Sequence, residues 1–194
     1  MTDSAPAPGR LVALEASHSA DLRSAARHLL HICRAPKGRG GCSYWDASSI
    51  FHELSAHAKQ CDPPSAKTLL ILYAADLAFR LRWEIEPALA EGYTVVAAPY
   101  TRTAVLAGKA AGLSSKWLSD LFEFAPAPKA SFWLEPGRAA LAAKPRAMSG
   151  FPEFCFSQTE RISARFDRRE MLETLHELFK KDAHTGRLRR LRVR

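Results

Sequence analysis

The side chains in this sequence that could do chemistry are mainly cations, with one imidazole and a few aromatic rings. Their types point to anion binding. Arg23 falls in the first turn of an expected helix, Arg80 in a long helix, and Arg102 two residues beyond Tyr100. Arginine offers a rigid fork of donors matched to phosphate and carboxylate oxygens, and Tyr100 and Phe79 are aromatic rings close to them in sequence. His18, between Ser17 and Ser19, is the general acid or base nearest the first turn of the chain. Each residue also has a plainer reading. Arg23 and Arg102 read as solvated charges, Arg80 as the i,i+4 partner of Asp76, the rings as core, and His18 as a capping residue. His28, His31, Cys33 and Cys42 look like metal ligands at first sight. Cys33 points away from the two histidines, however, and the spacing fits no tetrahedral site, so no metal is expected. His52 and Glu53 are neighbours on a helix, face different ways, and form no acid/base pair. No catalytic residue is assigned.

The elements that must position these residues alternate. Arg10–Glu15 reads as a short buried strand and Asp21–Arg34 as a helix with Leu22, Ala25, Ala26, Leu29, Leu30 and Cys33 on one face. Ala35–Tyr44, with Pro36 and three glycines, reads as a flexible loop. Asp46 caps a second helix through about His57, and Cys61–Pro64 breaks the chain. Asp62 or Ser65 then caps a long helix from about Leu69 that stops at Glu91-Gly92. Its apolar residues lie on nearly every face (Leu69, Ile71, Leu77, Phe79, Trp83, Ile85), which predicts burial between a sheet and other helices. Tyr93–Ala98 is the next strand, Ser114 caps a helix over Lys116–Phe124, and Ala130–Leu134 is a third strand. A short helix over Pro136–Lys144, an irregular crossing over Pro145–Pro152 and an amphipathic helix over Gln158–Asp182 complete the pattern. Strands separated by helices imply an α/β fold, a three-layer parallel sheet flanked by helices. In such sheets ligands bind beyond the carboxyl ends of the strands, which makes Pro99–Arg102 the expected seat of any chemistry.

At 194 residues and 47% hydrophobic content, one domain is expected over residues 10–182. A disordered lead-in is expected over residues 1–9 and a basic tail over residues 183–194. No apolar run is long enough to span a bilayer and no signal peptide is evident. The four cysteines therefore read as reduced thiols of a cytoplasmic protein without a membrane partner. The charge of +8 is concentrated late, with 11 Lys/Arg against 5 Asp/Glu from Arg161 to Arg194. Arg187–Arg194 reads as a solvated terminus or as a contact for an acidic protein or nucleic acid.

Several segments, in order, resemble thymidylate kinases, nucleoside monophosphate kinases of the P-loop NTPase class. LLILYAADLAFRLRWEIEPALAEG resembles that family's long helix, and VVAAPY its strand ending in Asp-Arg-Tyr. GKAAGLSSKWLSDLFEFAPAPKASFWLEPGRAALA resembles the segment that follows, and FCFSQTERISARFD a later one. The resemblance implies a P-loop NTPase, thymidylate kinase-like fold and a homodimer formed through its helices. It also implies a phosphate-binding loop over Ser17, His18, Ser19, Arg23 and Ser24, and nucleotide contacts from Tyr100, Arg102, Arg80 and Phe79. Trp45-Asp46-Ala47-Ser48 would fall near the base.

The motif residues themselves depart from the family. Where it reads EGxDGxGKST, this chain has Glu15-Ala16-Ser17-His18-Ser19-Ala20-Asp21-Leu22-Arg23-Ser24, without a glycine, with Leu22 for the phosphate-clamping lysine and Arg23 for the Mg²⁺-binding hydroxyl. Ala98-Pro99 replaces Asp-Arg, and Leu77 replaces the substrate-phosphate arginine. The Walker A and Asp-Arg-Tyr motifs are thus degenerate. The expectation is a pseudokinase acting as a binding, regulatory or partner module without ATP or Mg²⁺. The alternative is an active kinase of dTMP-like nucleotides, using ATP and Mg²⁺ at a site rebuilt from Arg23, Arg102 and His18.

Overall fold

The computed structural model of the chain describes residues 8–16, 22–34, 38–57, 64–135 and 189–192. Five strands, β1 (Arg10–Ala16), β2 (Gly40–Tyr44), β3 (Thr94–Ala98), β4 (Ala130–Glu135) and β5 (Arg189–Arg192), form one parallel sheet in the order β2-β3-β1-β4-β5. Parallel neighbours need a crossover connection, and helices between β1 and β4 supply it for those strands. They are α1 (Leu22–Cys33), α2 (Ile50–His57), α3 (Ala66–Arg80), α4 (Glu86–Ala90), α5 (Thr101–Ala110) and α6 (Ser115–Leu121).

Alternation along β2 shows how the layers divide. Gly40 lies against Leu30 of α1, and the Tyr44 hydroxyl donates to the Arg23 carbonyl of the same helix. Ser43, facing the other way, meets Arg80 of α3. On that second face Gly108 seats α5 between Leu70 of α3 and Leu118 of α6. The three-layer α/β arrangement follows, with Val12, Leu14, Leu29, Leu77, Val96 and Phe132 buried between the layers. Among the described residues no helix is long and apolar enough to cross a membrane.

Local chemistry sets the element ends. The Asp46 carboxylate accepts from the N–H groups of Phe51 and His52 at the start of α2, and Ser65 and Ser114 accept from Thr68 and Trp117. Gly92, at φ 82°, closes α4 with Gly92 N–H on Leu89 O and Tyr93 N–H on Ala88 O, a Schellman stop that hands the chain to β3.

The structure departs from the sequence reading in four places. The glycine-rich loop ends in a strand, β2, because pairing with β3 overrides the weak strand propensity of Gly40 and Gly41. The long helix passes through a π-helical turn at Leu81–Ile85, and its outer stripe faces outward, with Ile71, Phe79 and Trp83 exposed, Trp83 at 67%. Of the segment expected as the Pro99–Arg102 loop, Pro99 and Tyr100 are non-helical, whereas Thr101 and Arg102 begin α5, a helix the sequence reading lacked. In the basic tail, Arg189–Arg192 pair with β4 as an edge strand. The elements expected over residues 1–7, 136–152 and 158–182, and the break at residues 61–63, lie outside the described residues.

A Cβ at Gly40 would stand 2.6 Å from the Thr94 carbonyl oxygen and 2.7 Å from a Leu30 methyl. The backbone neighbour cannot swing aside. Gly40→Ala is therefore expected to lower the urea midpoint with unchanged m, at a cost of about 1–3 kcal/mol.

Candidate functional site

The carboxyl ends of β1, β2 and β3 gather nearly all the buried polar side chains of the described residues: Glu15, Ser43, Asp76, Arg80 and Thr103. Each lies there because its own element delivers it. Glu15 is the acidic residue near the end of the otherwise apolar strand β1, and it is 1% exposed. A carboxylate so buried is tolerated only when its oxygens are fully bonded. Its partners are the N–H groups of Tyr100 (3.2 Å), Arg102 (3.0 Å) and Thr103 (2.9 Å), with the Thr103 hydroxyl at 2.7 Å. These amides belong to the N-terminus of α5, whose own cap residue, Tyr100, gives no side-chain cap. Glu15 thus occupies the place at the positive end of a helix where an anion would otherwise settle. The Thr103 hydroxyl also accepts from Ala16 N–H, so β1 and α5 are joined at two successive residues.

Arg80 is fully buried. Its Nε donates to the Ser43 hydroxyl (2.9 Å), and its terminal nitrogens donate to the carbonyls of Pro99 (3.0 Å) and Ser43 (2.9 Å). The Ser43 hydroxyl in turn donates to Glu84 at 2.6 Å, so the charge reaches a carboxylate through one hydroxyl. The i,i+4 pairing of Asp76 with Arg80 is absent. Asp76 accepts instead from the N–H groups of Asp46 and Ser48 and from the Ser48 hydroxyl, which holds the loop before α2. Within that loop Asp46 and Ser49 adopt left-handed φ values of 60° and 61°. Burial pushes the Asp46 carboxyl above its usual range and the nearby Asp76 adds to the rise, against the lowering effect of the Phe51 and His52 amides.

The other expected site residues divide. Tyr100 lies in the core, donating to the Pro126 carbonyl at 2.8 Å while its own carbonyl accepts from the Tyr73 hydroxyl at 2.6 Å. Burial pushes its phenol far upward, with the Arg80 charge pulling the other way. Arg102 gives its amide to Glu15 and leaves its side chain exposed on the second residue of α5. Arg23 stacks over the Tyr44 ring at 5.0 Å, and Phe79 is exposed on the outer stripe of α3. Arg80 and Tyr100 therefore converge on the strand ends, whereas Phe79 does not. Ser24 is exposed on α1, and Ser17, His18 and Ser19 lie outside the described residues. Glu15, which the sequence reading did not single out, is the residue on which α5 depends. Its signal was a lone acid in the apolar run RLVALEA. Among the described residues no three His, Cys, Asp or Glu side chains stand close enough to hold a metal ion.

Every buried side-chain polar atom in the described residues has a partner. The strand ends work as a strut whose donors and acceptors satisfy one another. Glu15→Gln would turn an amide NH₂ toward the α5 amides, and it is expected to cost about 2–4 kcal/mol in urea unfolding. Arg80→Lys, which loses the fork that spans Ser43 and Pro99, is expected to cost a similar amount.

No family model matches this chain, and no curated protein matches it. Among solved structures the chain is similar to the thymidylate kinase from Ehrlichia chaffeensis, with a TM-score of 0.55 at 10% identity, over 65% of this chain and 75% of that one. The fold is thymidylate kinase-like.

Proposed function

We propose that this chain is a thymidylate kinase-like protein that has lost ATP-dependent phosphoryl transfer and serves as a binding, regulatory or partner module. The observation that carries this reading is the fate of the positions where the resemblance puts phosphate-binding cations. Leu22, at the lysine position, is 2% exposed, and Leu77, at the arginine position, is fully buried. Both pack as core. Arg80 is committed to Ser43 and Pro99, and Glu15 already fills the N-terminus of α5. Phosphoryl transfer needs several positive groups aimed at the transferring oxygens, and here the buried polar groups are aimed at one another. This reading requires neither ATP nor Mg²⁺.

The exposed Ile71, Phe79 and Trp83 support a second copy of the chain as one partner, and the arginines of the tail support an acidic one. Trp83→Glu is expected to shift sedimentation from dimer to monomer. A wild-type chain that sediments as a monomer removes that partner.

The main test is thermal. A ligand at a hundred times its Kd stabilises by about 2.7 kcal/mol, a shift of several degrees in Tm. ATP, ADP, dTMP and dTDP, each with and without Mg²⁺, are expected to leave Tm unmoved. A shift with Mg-ATP, or transfer of phosphate from ATP to dTMP, overturns the proposal in favour of a rebuilt site.

A further inference from the structure

Among the described residues strand β2 lies at the edge of the sheet, and its outer backbone faces away from β3. The Arg39 carbonyl accepts from Thr94 N–H and the Trp45 N–H donates to Ala98 O. Both groups of a residue in a parallel ladder turn the same way and successive residues alternate. Residues 39, 41, 43 and 45 therefore turn toward β3, and the N–H and C=O groups of Gly40, Cys42 and Tyr44 turn outward. An edge of this kind is a template for another strand. Cations flank it. Arg23 stacks on Tyr44 at one end, and Arg39 stacks on Tyr93 and donates to its hydroxyl at 2.9 Å at the other. Arg27, one turn along α1 from Arg23, acts electrostatically on Tyr44 and Cys42. From Leu22 to Trp45 the sequence holds Arg23, Arg27, Arg34, Lys37 and Arg39 and no Asp or Glu.

We propose that the β2 edge binds an extended acidic peptide, which adds as a sixth strand with alternate carboxylates toward the arginines of α1. Backbone pairing supplies the affinity and the cations supply the choice of partner. The charge argues against a second copy of β2 as occupant, since its arginines would meet like charges across the junction. The open row of amide donors favours a peptide over nucleic acid, whose phosphates need only the cations. The proposal deepens the binding-module reading and is tested apart from it, because peptide binding and the nucleotide screen are separate measurements.

The test is fluorescence anisotropy with the full chain and a labelled heptapeptide alternating valine and glutamate. The peptide is expected to bind, more weakly as salt rises, and the lysine counterpart is expected not to. Cys42→Pro deletes one outward N–H and leaves the β3 ladder intact, as proline is tolerated on an edge strand. It should weaken binding about tenfold, the scale of one lost hydrogen bond, while Cys42→Ala should not. A glutamate peptide N-methylated along its pairing edge should fail against the wild-type chain, which makes the same test without altering the protein. Arg23→Glu with Arg27→Glu should weaken binding by about tenfold or more at low salt. Absence of binding by the glutamate peptide overturns the proposal. So does binding that survives N-methylation, an equal loss with Cys42→Ala, or an oligonucleotide that binds more tightly and is indifferent to Cys42→Pro.

Discussion

One buried carboxylate holds the working end of this fold together. Glu15 ends β1 in the dry interior and is stable there because three amides and a hydroxyl of α5 converge on it. The dependence runs both ways. The helix N-terminus has unsatisfied donors and a positive field, and the strand has a charge that must be neutralised. Because the two are 85 or more residues apart in sequence, their union fixes β1 against the segment that leaves β3. The register of the central strands and the direction of α5 are thereby set at one point.

A second tie does the same on the other side of β3. Arg80 spans the carbonyls of Ser43 and Pro99, so the ends of β2 and β3 are locked by a single guanidinium. Asp76, one turn earlier, holds the loop before α2. The face of α3 that meets the sheet is thus apolar through Leu70, Tyr73 and Leu77 and charged at two points, where it reaches the strand ends. Charges placed there cost desolvation, and each is offset by neutral backbone groups, with no opposite charge in direct contact. The result is rigid and inward-looking, on a fold that elsewhere serves a thymidylate kinase. Fold and chemistry separate cleanly at this level, since the sheet order depends on buried apolar faces and the chemistry on a handful of polar positions.

What faces outward differs in kind. The outer stripe of α3 and the π-helical turn after it is apolar at Ile71, Phe79 and Trp83, and the α1–β2 edge is basic with tyrosines set against its arginines. Among the described residues the buried polar atoms at the strand ends all have partners, while these apolar and basic surfaces face outward.

The sequence by itself determined the α/β class, the strands β1, β3 and β4, the caps at Asp46 and Ser114, and the stop at Gly92, and it narrowed the cap of α3 to Asp62 or Ser65. These features depend on periodicity and on hydrogen bonds made within a few residues of their origin. Only the tertiary structure decided the rest. The strand β2 was hidden because glycines read as loop until β3 supplies the pairing. The helix α5 was hidden because its cap is Glu15, from the other end of the domain. Arg80 and Asp76 looked like partners at i,i+4 and part company because the strand ends and the loop before α2 offer each of them buried groups that need satisfying. Local bonds can be read along the chain, whereas a long-range bond exists only once the fold has brought its two ends together.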